Sequence, residues 1–174
     1  MECHYEFVPG DEIIIAPGRT LKRIRSLVAI AVIGVSVGDV GGYVEKIDNL
    51  SGNAWVSGNA WVSGDALVSE NALVSGNARV YGNARVYGNA WVSGSALVYG
   101  NADHLIIGPA KSSGRFTTAH KDQKLGVRVN CGCFSGTVAE FSKQIESTHK
   151  GNKEHLEQYR LFCQLIAFNF NVTE

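Results

Sequence analysis

A six-residue period runs through the middle of the chain, from residue 50 to residue 103, and it limits the possible folds more than any other feature. An aliphatic residue opens each period: Leu50, Val56, Val62, Val68, Val74, Val80, Val86, Val92 and Val98. An alanine follows each of them four residues later, and Gly-Asn or a close variant usually stands between the two. A disordered low-complexity tract has no reason to keep such phase, so the repeat predicts a folded solenoid.

The nine periods divide into three coils of 18 residues, which predicts a short left-handed parallel β-helix with three short strands in each coil. In a β-helix of this kind, we expect the aliphatic residues to fill a triangular core and the alanines to occupy its narrow corners. Glycine and asparagine both tolerate the positive φ angles that the turns need. Because successive coils stack at about 4.8 Å, equivalent side chains form columns along each flat face.

The repeat lies between two regions with different patterns, and the fold class that we predict is mainly β. Residues 1–49 are expected to form an N-terminal β cap, residues 50–103 the β-helix, and residues 104–174 a C-terminal α+β region with a strand and two helices. The most apolar stretch, residues 27–37, is shorter than the roughly 20 residues that span a bilayer. We expect it to be a buried strand pair or strand-turn.

Two amphipathic helices are predicted near the C-terminus. Thr137 and Glu140 form a capping box that begins the first helix. The second helix starts near Lys153 and places its apolar residues on one face: Leu156, Tyr159, Phe162, Cys163 and Ile166. Because a solenoid end exposes unpaired backbone, we expect the helices to cap the open end of the β-helix; packing on an apolar face of the β-helix is the alternative.

Composition excludes several classes of function. Sixteen basic residues balance sixteen acidic ones, so the chain is neither an acidic mimic of DNA nor a general DNA-binding protein. The four cysteines are too few and too scattered for a secreted disulfide scaffold, and we expect reduced thiols in a soluble cytoplasmic protein. Cys131 and Cys133 offer only two sulfurs, which cannot complete a zinc shell. They are expected to be buried strand thiols, with no metal or other cofactor.

One predicted face of the β-helix carries Trp55, Leu73 and Trp91 in a single column, which we name the apolar ladder. Soluble monomers rarely leave such a column bare. We therefore expect the ladder to be an oligomer interface, with a cyclic trimer as the favoured assembly. The alternative is that the chain's own C-terminal helices cover it.

A second face and a C-terminal loop offer candidate ligand-binding residues. The second face displays Arg79 beside Tyr81 and Tyr99, where tyrosines can stack on a base while arginine pairs with phosphate. The alternative is a stacked, solvated sheet face without a ligand. The loop combines hydroxyl residues, a glycine and an arginine that can cup an anion, or that form an ordinary loop: Ser112, Ser113, Gly114, Arg115, Thr117 and Thr118. Arg23, in a basic run at residues 19–25, is a further candidate.

Two activities that occur on β-helices of this kind are disfavoured by the residues. Hexapeptide acyltransferases need a base, usually histidine, on a coil or on a loop that emerges from one. The coils hold no histidine, and His104 stands just past the last period. Ice-binding β-helices display ranks of threonine, and the repeat contains none. No catalytic residue is therefore predicted.

Three stretches of the chain resemble phage and prophage proteins of unassigned function, which are related in architecture to the bacterial YdcK-type β-helix proteins. The stretches are GRTLKRIR at residues 18–25, GDVGGYVEK at residues 38–46 followed by Asn49-Leu50-Ser51, and CGCFSGT at residues 131–137 followed by Glu140-Phe141 and Thr148-His149. The resemblance implies the fold and a mobile-element origin, hence the cytoplasm of an infected or lysogenic cell. It implies no established chemistry.

The function that we predict is non-catalytic binding. An oligomer would sequester a small anionic, nucleotide-type ligand, such as a second messenger of host immunity, between its subunits or at an end of the β-helix. The alternative hypothesis is a scaffold that meets a host or phage protein through the β-helix faces. A hexapeptide acyltransferase is a third and less favoured hypothesis, since fold alone does not assign function.

Overall fold

The computed structural model describes residues 3–172, which form two compact units with a boundary between Asn101 and Ala102. The first unit contains the N-terminal strands and the repeat, and the second contains a sheet and two helices. The protein is therefore mainly β, with a solenoid of about three turns, strands at its N-terminus and two helices at its C-terminus, as the sequence predicts.

Three N-terminal strands precede the repeat in the first unit: β1 (Tyr5–Ala16), β2 (Arg19–Ser26) and β3 (Val40–Val44). Eight two-residue strands follow: β4 (Trp55–Val56), β5 (Trp61–Val62), β6 (Leu67–Val68), β7 (Leu73–Val74), β8 (Arg79–Val80), β9 (Arg85–Val86), β10 (Trp91–Val92) and β11 (Leu97–Val98). The eleven strands of the first unit form three sheets. Their strand orders are β1-β2-β3-β5-β8-β11, β10-β7-β4 and β6-β9. The N-terminal strands thus extend the second face of the solenoid, since β3 pairs parallel with β5.

Each short strand pairs in parallel with the strands one coil away. Leu73 aligns with both Trp55 and Trp91, and Arg79 aligns with Trp61 and Leu97. Partners are separated by 18 residues in the sequence, so this register confirms the 18-residue coil and the columns predicted from it.

The core of the solenoid consists of the residues that the period predicts. The periodic valines from Val56 to Val98 are fully buried, and the alanines from Ala54 to Ala96 are at most 2 % exposed. Full burial stabilises an aliphatic side chain of this size by roughly 1.5–3 kcal/mol relative to exposure. Each coil therefore carries its own share of the hydrophobic stabilisation.

Glycine and asparagine have different roles at the corners of the coils. The turn glycines from Gly52 to Gly94 adopt positive φ, as Gly52 does at 64°, and Glu70 adopts a φ of 61° where the pattern lacks a glycine. The asparagines form a ladder instead: the side-chain amide of Asn53 donates to Asn71 at 3.0 Å, and Asn71 donates to Asn89 at 3.3 Å. The expectation that asparagine also supplies positive φ is wrong within the repeat, because its amide connects one coil to the next.

Two glycines of β3 lie where the N-terminal strands approach the first coil. A Cβ atom at Gly42 would overlap the carbonyl oxygen of Ala60, and one at Gly41 would lie 2.8 Å from a ring carbon of Trp55. Neither glycine has a positive φ. Close approach of the backbone, and not turn geometry, therefore requires glycine at both positions.

The apolar stretch at residues 27–37 is mostly exposed, so the prediction that it is buried is wrong. A single antiparallel bridge joins Ile30 to Val35, and a three-residue 3-10 turn lies between them. These two side chains are buried, whereas Val32 is 61 % exposed and Val37 is 67 % exposed. A turn this short directs successive side chains outward and cannot bury all of them.

The second unit is an antiparallel sheet followed by two helices. Its four strands, in sheet order, are β12 (His104–Ile107), β13 (Thr117–Asp122), β14 (Gly126–Cys131) and β15 (Phe134–Gly136). The helices α1 (Val138–His149) and α2 (Lys153–Phe170) come after them. Among the helices of residues 3–172, none is long and apolar enough to cross a membrane.

Both helices begin where the sequence predicts. The backbone N–H of Glu140 donates to Thr137 Oγ1 at 3.2 Å, and the backbone N–H of Thr137 donates to Glu140 Oε2 at 2.8 Å, which completes the predicted capping box. The helices pack on one face of the sheet around a shared core that contains Ala119, Val129, Phe141, Ile145, Tyr159, Cys163 and Ile166. They bury their apolar faces on the sheet of their own unit, a partner that the sequence analysis did not identify.

The two neighbouring cysteines lie at the hairpin between β14 and β15. Cys131 is half-buried at the end of β14, and Cys133 is exposed in the turn. The prediction of buried strand thiols is therefore wrong for Cys133, because the short turn carries its side chain out of the sheet.

Gly42→Ala is expected to destabilise the first unit by about 1–3 kcal/mol, because the added methyl group must displace β3 from the first coil. Gly100→Ala is the matched control, since its φ is not positive and its nearest new contact is Asn83 Oδ1 at 3.5 Å. All three tryptophans lie in the first unit, so urea unfolding followed by tryptophan fluorescence reports on that unit. Equal unfolding midpoints for the two variants would contradict this interpretation.

Candidate functional site

Aromatic and arginine side chains form two adjacent columns on the second face of the solenoid. The strand register places Tyr43, Trp61 and Arg79 in one column, on β3, β5 and β8. Tyr81 and Tyr99 directly follow the buried Val80 and Val98, so they lie one coil apart in the neighbouring column. We call these five residues the arginine–aromatic face. Two of its members, Arg79 and Tyr99, are exposed.

The members of this face contact one another. The Arg79 guanidinium lies 5.3 Å from the centre of the Trp61 ring, a distance typical of a cation–π contact. The rings of Trp61 and Tyr81 have centroids 6.2 Å apart, and those of Tyr81 and Tyr99 are 5.3 Å apart in an edge-to-face arrangement. Because the rings support one another on a hydrogen-bonded sheet, the face is an ordered stacking surface beside an accessible cation.

Arg23 lies at the N-terminal end of this face and has protein partners for its donors. Its guanidinium carbon is 4.2 Å from the Tyr43 ring centre, and Nη2 donates to the Tyr43 hydroxyl at 2.7 Å. Nε donates to Asp11 at 3.0 Å, and Nη1 donates to the carbonyls of Gly41 and Gly58 at 2.9 and 3.1 Å. The geometry gives Arg23 a structural role, since it connects β1, β2 and β3 to the first coil.

A second ion pair fixes the neighbouring part of the sheet. Arg19 donates to both oxygens of Glu45, at 3.1 and 2.8 Å, and the backbone N–H of Gly64 donates to the same carboxylate at 2.6 Å. The hydrogen bond from Arg19 is the largest of the effects that lower the pKa of Glu45 to about 2. The carboxylate therefore stays ionised across the physiological range and joins β2 and β3 to the solenoid.

The candidate anion loop of the second unit is anchored on α2. The backbone N–H of Lys111 donates to Gln158 at 2.9 Å, and the Ser113 hydroxyl lies 3.2 Å from that of Tyr159. Thr117 and Thr118 lie in β13 and are buried. Ser112 is half-buried, with a buried hydroxyl that has no hydrogen-bond partner among residues 3–172.

The exposed candidates in this loop are Ser113, Gly114 and Arg115. The Arg115 guanidinium lies against the backbone of Gly132, since a Cβ there would be 2.9 Å from its Nη1. The candidate residues of this loop therefore have different surroundings. The two threonines point into the unit, Ser113 contacts α2, and Arg115 lies along the β14–β15 hairpin.

The apolar ladder forms as predicted, but part of the first unit itself covers it. Trp55 is only 3 % exposed, and Leu73 and Trp91 are half-buried. Shallow grooves beside the ladder are lined by Val32 and Ile33, from the exposed apolar stretch described above. This segment was not among the covers expected from the sequence, which were another subunit or the C-terminal helices.

The second unit contains a row of buried and half-buried polar side chains, of which only Thr118 was a candidate from the sequence. Thr118, His120 and Asp122 alternate along β13 on the face opposite to the helix-packed Ala119, and Arg128 and Asn130 continue the row on β14. The signal was present in the sequence, because a polar residue stands at every second position of both strands.

Hydrogen bonds connect the members of this polar row. Arg128 Nε donates to Asp122 at 2.9 Å, and the backbone N–H groups of Lys124 and Leu125 donate to the other carboxylate oxygen. The Asn130 amide donates to His120 Nε2 at 3.1 Å, and Nδ1 lies 3.3 Å from the carbonyl of Lys121. Both ring nitrogens suit a neutral imidazole, and burial lowers the pKa of His120 to about 4.

Within residues 3–172, no three His, Cys, Asp or Glu side chains lie together as metal ligands would. Within the repeat, residues 72–87, 78–94 and 84–100 match the family described as the YdcK beta solenoid repeat. These coils are similar to the YdcK repeat. The match and the fold together support the YdcK-like β-solenoid architecture that the resemblance implied. No curated protein and no solved structure matches the chain significantly.

Arg23→Ala is expected to lower the free energy of unfolding of the first unit by about 2 kcal/mol, because it removes the charged donor of two carbonyls and of the partly exposed Asp11, which keeps only the Tyr43 hydroxyl. Arg23→Lys should restore little of the loss, because an ammonium cannot reproduce the planar, branched contacts. Arg25→Ala is the control, since the only ion pair of Arg25 among residues 3–172 is a 3.7 Å contact with the half-exposed Glu6. Tryptophan-monitored urea unfolding measures all three; a loss for Arg25→Ala as large as that for Arg23→Ala would argue against the role assigned to Arg23.

Acid is expected to destabilise the second unit through His120. Its pKa is about 4 in the folded protein and 6.5 in the unfolded chain, so between these values only the unfolded chain binds the proton. Stability should therefore fall as the pH drops from 6.5 to 4, by about 3 kcal/mol in total. Helical circular dichroism follows this unit, which contains α1 and α2. The His120→Gln variant should lack this loss of stability between pH 6.5 and 4. Identical pH profiles of stability for the wild-type protein and the variant would refute the role of His120.

Proposed function

We propose that this chain is a non-catalytic binding module and that the arginine–aromatic face is its binding surface. The observation that carries the proposal is the exposed Arg79 guanidinium beside the contacting rings of Trp61, Tyr81 and Tyr99. Inter-coil pairing holds these side chains on a sheet, so little ordering is needed when a ligand binds.

The ligand class that this surface fits best is a small anionic nucleotide. A base can stack on Tyr81 or Tyr99, since base–aromatic stacking is tolerant of base identity. A phosphate can accept paired hydrogen bonds from Arg79, whose donors are arranged in a planar fork. The resemblance to phage proteins extends the proposal to sequestration of nucleotide second messengers of host immunity, by an oligomer that encloses the ligand between subunits.

A scaffold that binds a protein is the second candidate function, and the shape of the face favours it. Its columns lie on a flat β surface, whereas small-molecule sites are usually concave. Tyrosine, tryptophan and arginine are also the residues that dominate protein–protein binding energy. A host or phage protein could therefore dock on the same five residues.

We do not propose hexapeptide acyltransferase activity. The candidate base for it, His104, is only 8 % exposed and lies in β12, where it aligns with His120 of β13. A general base must reach the proton that it removes. Acetyl-CoA turnover on amine or hydroxyl acceptors that is lost in His104→Ala would reinstate this activity.

The decisive experiment titrates the chain by calorimetry with a panel of cyclic mono-, di- and oligonucleotides and ADP-ribose. Arg79→Ala and Tyr81→Ala are expected to weaken binding about tenfold or more, roughly 1.4 kcal/mol, because each removes one of the two contacts. The repeat offers a matched control: Arg85 and Tyr87 occupy the same positions of the next period but lie on the third face.

The outcomes separate the two candidates. The nucleotide module is supported if Arg79→Ala and Tyr81→Ala weaken nucleotide binding. The third-face variants Arg85→Ala and Tyr87→Ala should leave that binding unchanged. Absence of binding to every nucleotide at protein concentrations well above micromolar overturns it. A host protein retained by the chain and by the third-face variants, but not by Arg79→Ala, would support the scaffold instead.

A further inference from the structure

Ser63 lies on the second face of the solenoid, directly after the buried Val62. The strand register places it one coil before Tyr81, in the column that also contains Tyr99. Ser63 is fully buried. The serines at the same position of other periods are half-buried: Ser57, Ser69 and Ser75. The groups that cover Ser63 are therefore particular to the second face.

The Ser63 hydroxyl has no hydrogen-bond partner among residues 3–172. The backbone of the same residue is paired, since its N–H donates to the carbonyl of Val80 at 3.0 Å. By contrast, the hydroxyl of Ser75 accepts a hydrogen bond from Trp91 at 3.0 Å. A buried hydroxyl without a partner destabilises a folded protein, because burial removes its hydrogen bonds to water. A molecule that binds at this place and completes the hydrogen bond explains why such a group is kept.

Members of the arginine–aromatic face flank this hydroxyl. Trp61 stands two residues before Ser63 on the same side of its strand, and Tyr81 follows about 4.8 Å along the column. The rings of Trp61 and Tyr81 have centroids 6.2 Å apart, with an angle of 36° between their planes. On the other side, the Glu45 carboxylate precedes Ser63 in the column and accepts its hydrogen bonds from Arg19 and a backbone N–H.

We propose that the Ser63 hydroxyl hydrogen-bonds the edge of a nucleobase that inserts between Trp61 and Tyr81. This role rests on the proposed function and adds to it the residue that distinguishes a base from an apolar ring. One polar edge of the base then faces Ser63, while the phosphate of the same nucleotide reaches the exposed Arg79 beside Trp61. Because a hydroxyl both donates and accepts, it can pair with an amino group, a carbonyl oxygen or a ring nitrogen of the base.

Insertion of a base needs only a small movement of the two rings. A planar ring between two others needs about 3.5 Å on each side, or about 7 Å in all. The rings of Trp61 and Tyr81 must therefore part by about 1 Å from their separation of 6.2 Å. Tyr81 can move in this way because its other ring neighbour, Tyr99, is 61 % exposed and touches it edge to face.

Calorimetric titration of Ser63→Ala with the nucleotide panel tests the proposal, with ribose 5-phosphate added as an anion that has no base. Ser63→Ala should bind the nucleotides about three- to tenfold more weakly than the wild-type chain, because one hydrogen bond is lost. It should bind ribose 5-phosphate as the wild-type chain does. Ser69→Ala is the matched control, since Ser69 follows Val68 in the next period but lies on the third face.

Urea unfolding separates this role from a structural one. Ser63→Ala should unfold at a urea midpoint no lower than that of Ser69→Ala, because it removes a hydroxyl that has no partner among residues 3–172. Ser63→Cys keeps the size of the side chain but offers only a weak donor, so it should show the same loss of nucleotide affinity. A midpoint of Ser63→Ala well below that of Ser69→Ala would make the hydroxyl structural and overturn the proposal.

Failure of this role and failure of the proposed function give different results. If Arg79→Ala weakens nucleotide binding but Ser63→Ala does not, the role of Ser63 is overturned and the proposed function stands. A hydroxyl that only holds a water molecule gives this result. An equal loss of affinity for ribose 5-phosphate would overturn the assignment to the base. If no nucleotide binds the wild-type chain, the proposed function fails, and base recognition by Ser63 fails with it.

Discussion

Hydrogen bonds between successive coils are the interaction on which the rest of the molecule depends. The backbone N–H of Trp55 donates to Ala72 at 3.0 Å, and that of Arg79 donates to Ala96 at 2.9 Å, each in the next coil. Because all coils keep this register, a side chain has the same orientation as its equivalent one coil away. The valine core, the asparagine ladder, the apolar ladder and the arginine–aromatic face all follow from this alignment.

The sequence predicted the features that depend on local periodicity. A period of six residues determines which side chains share a face, so the repeat alone placed Arg79, Tyr81 and Tyr99 together. The capping box at Thr137 and the core side of α2 followed in the same way from helical spacing. These predictions succeeded because each depends only on residues that are close in the sequence or related by the repeat.

The features that the sequence did not predict depend on long-range contacts. Arg23 was a candidate ligand residue because arginine often binds anions, but its partners include Asp11 on β1 and the carbonyl of Gly58 in the first coil, and no spacing rule connects these. Residues 27–37 are apolar enough for a core, yet they lie beside the ladder with much of their surface exposed.

Uniform coils also determine how such a protein can change its length. Since equivalent positions recur every 18 residues, duplication of one whole coil would add one rung to every column and leave each face intact. An insertion of a single six-residue period would instead rotate everything after it by one third of a turn, so that Arg79 and Trp61 no longer shared a face. Surfaces on this scaffold can therefore be extended only in steps of a full coil.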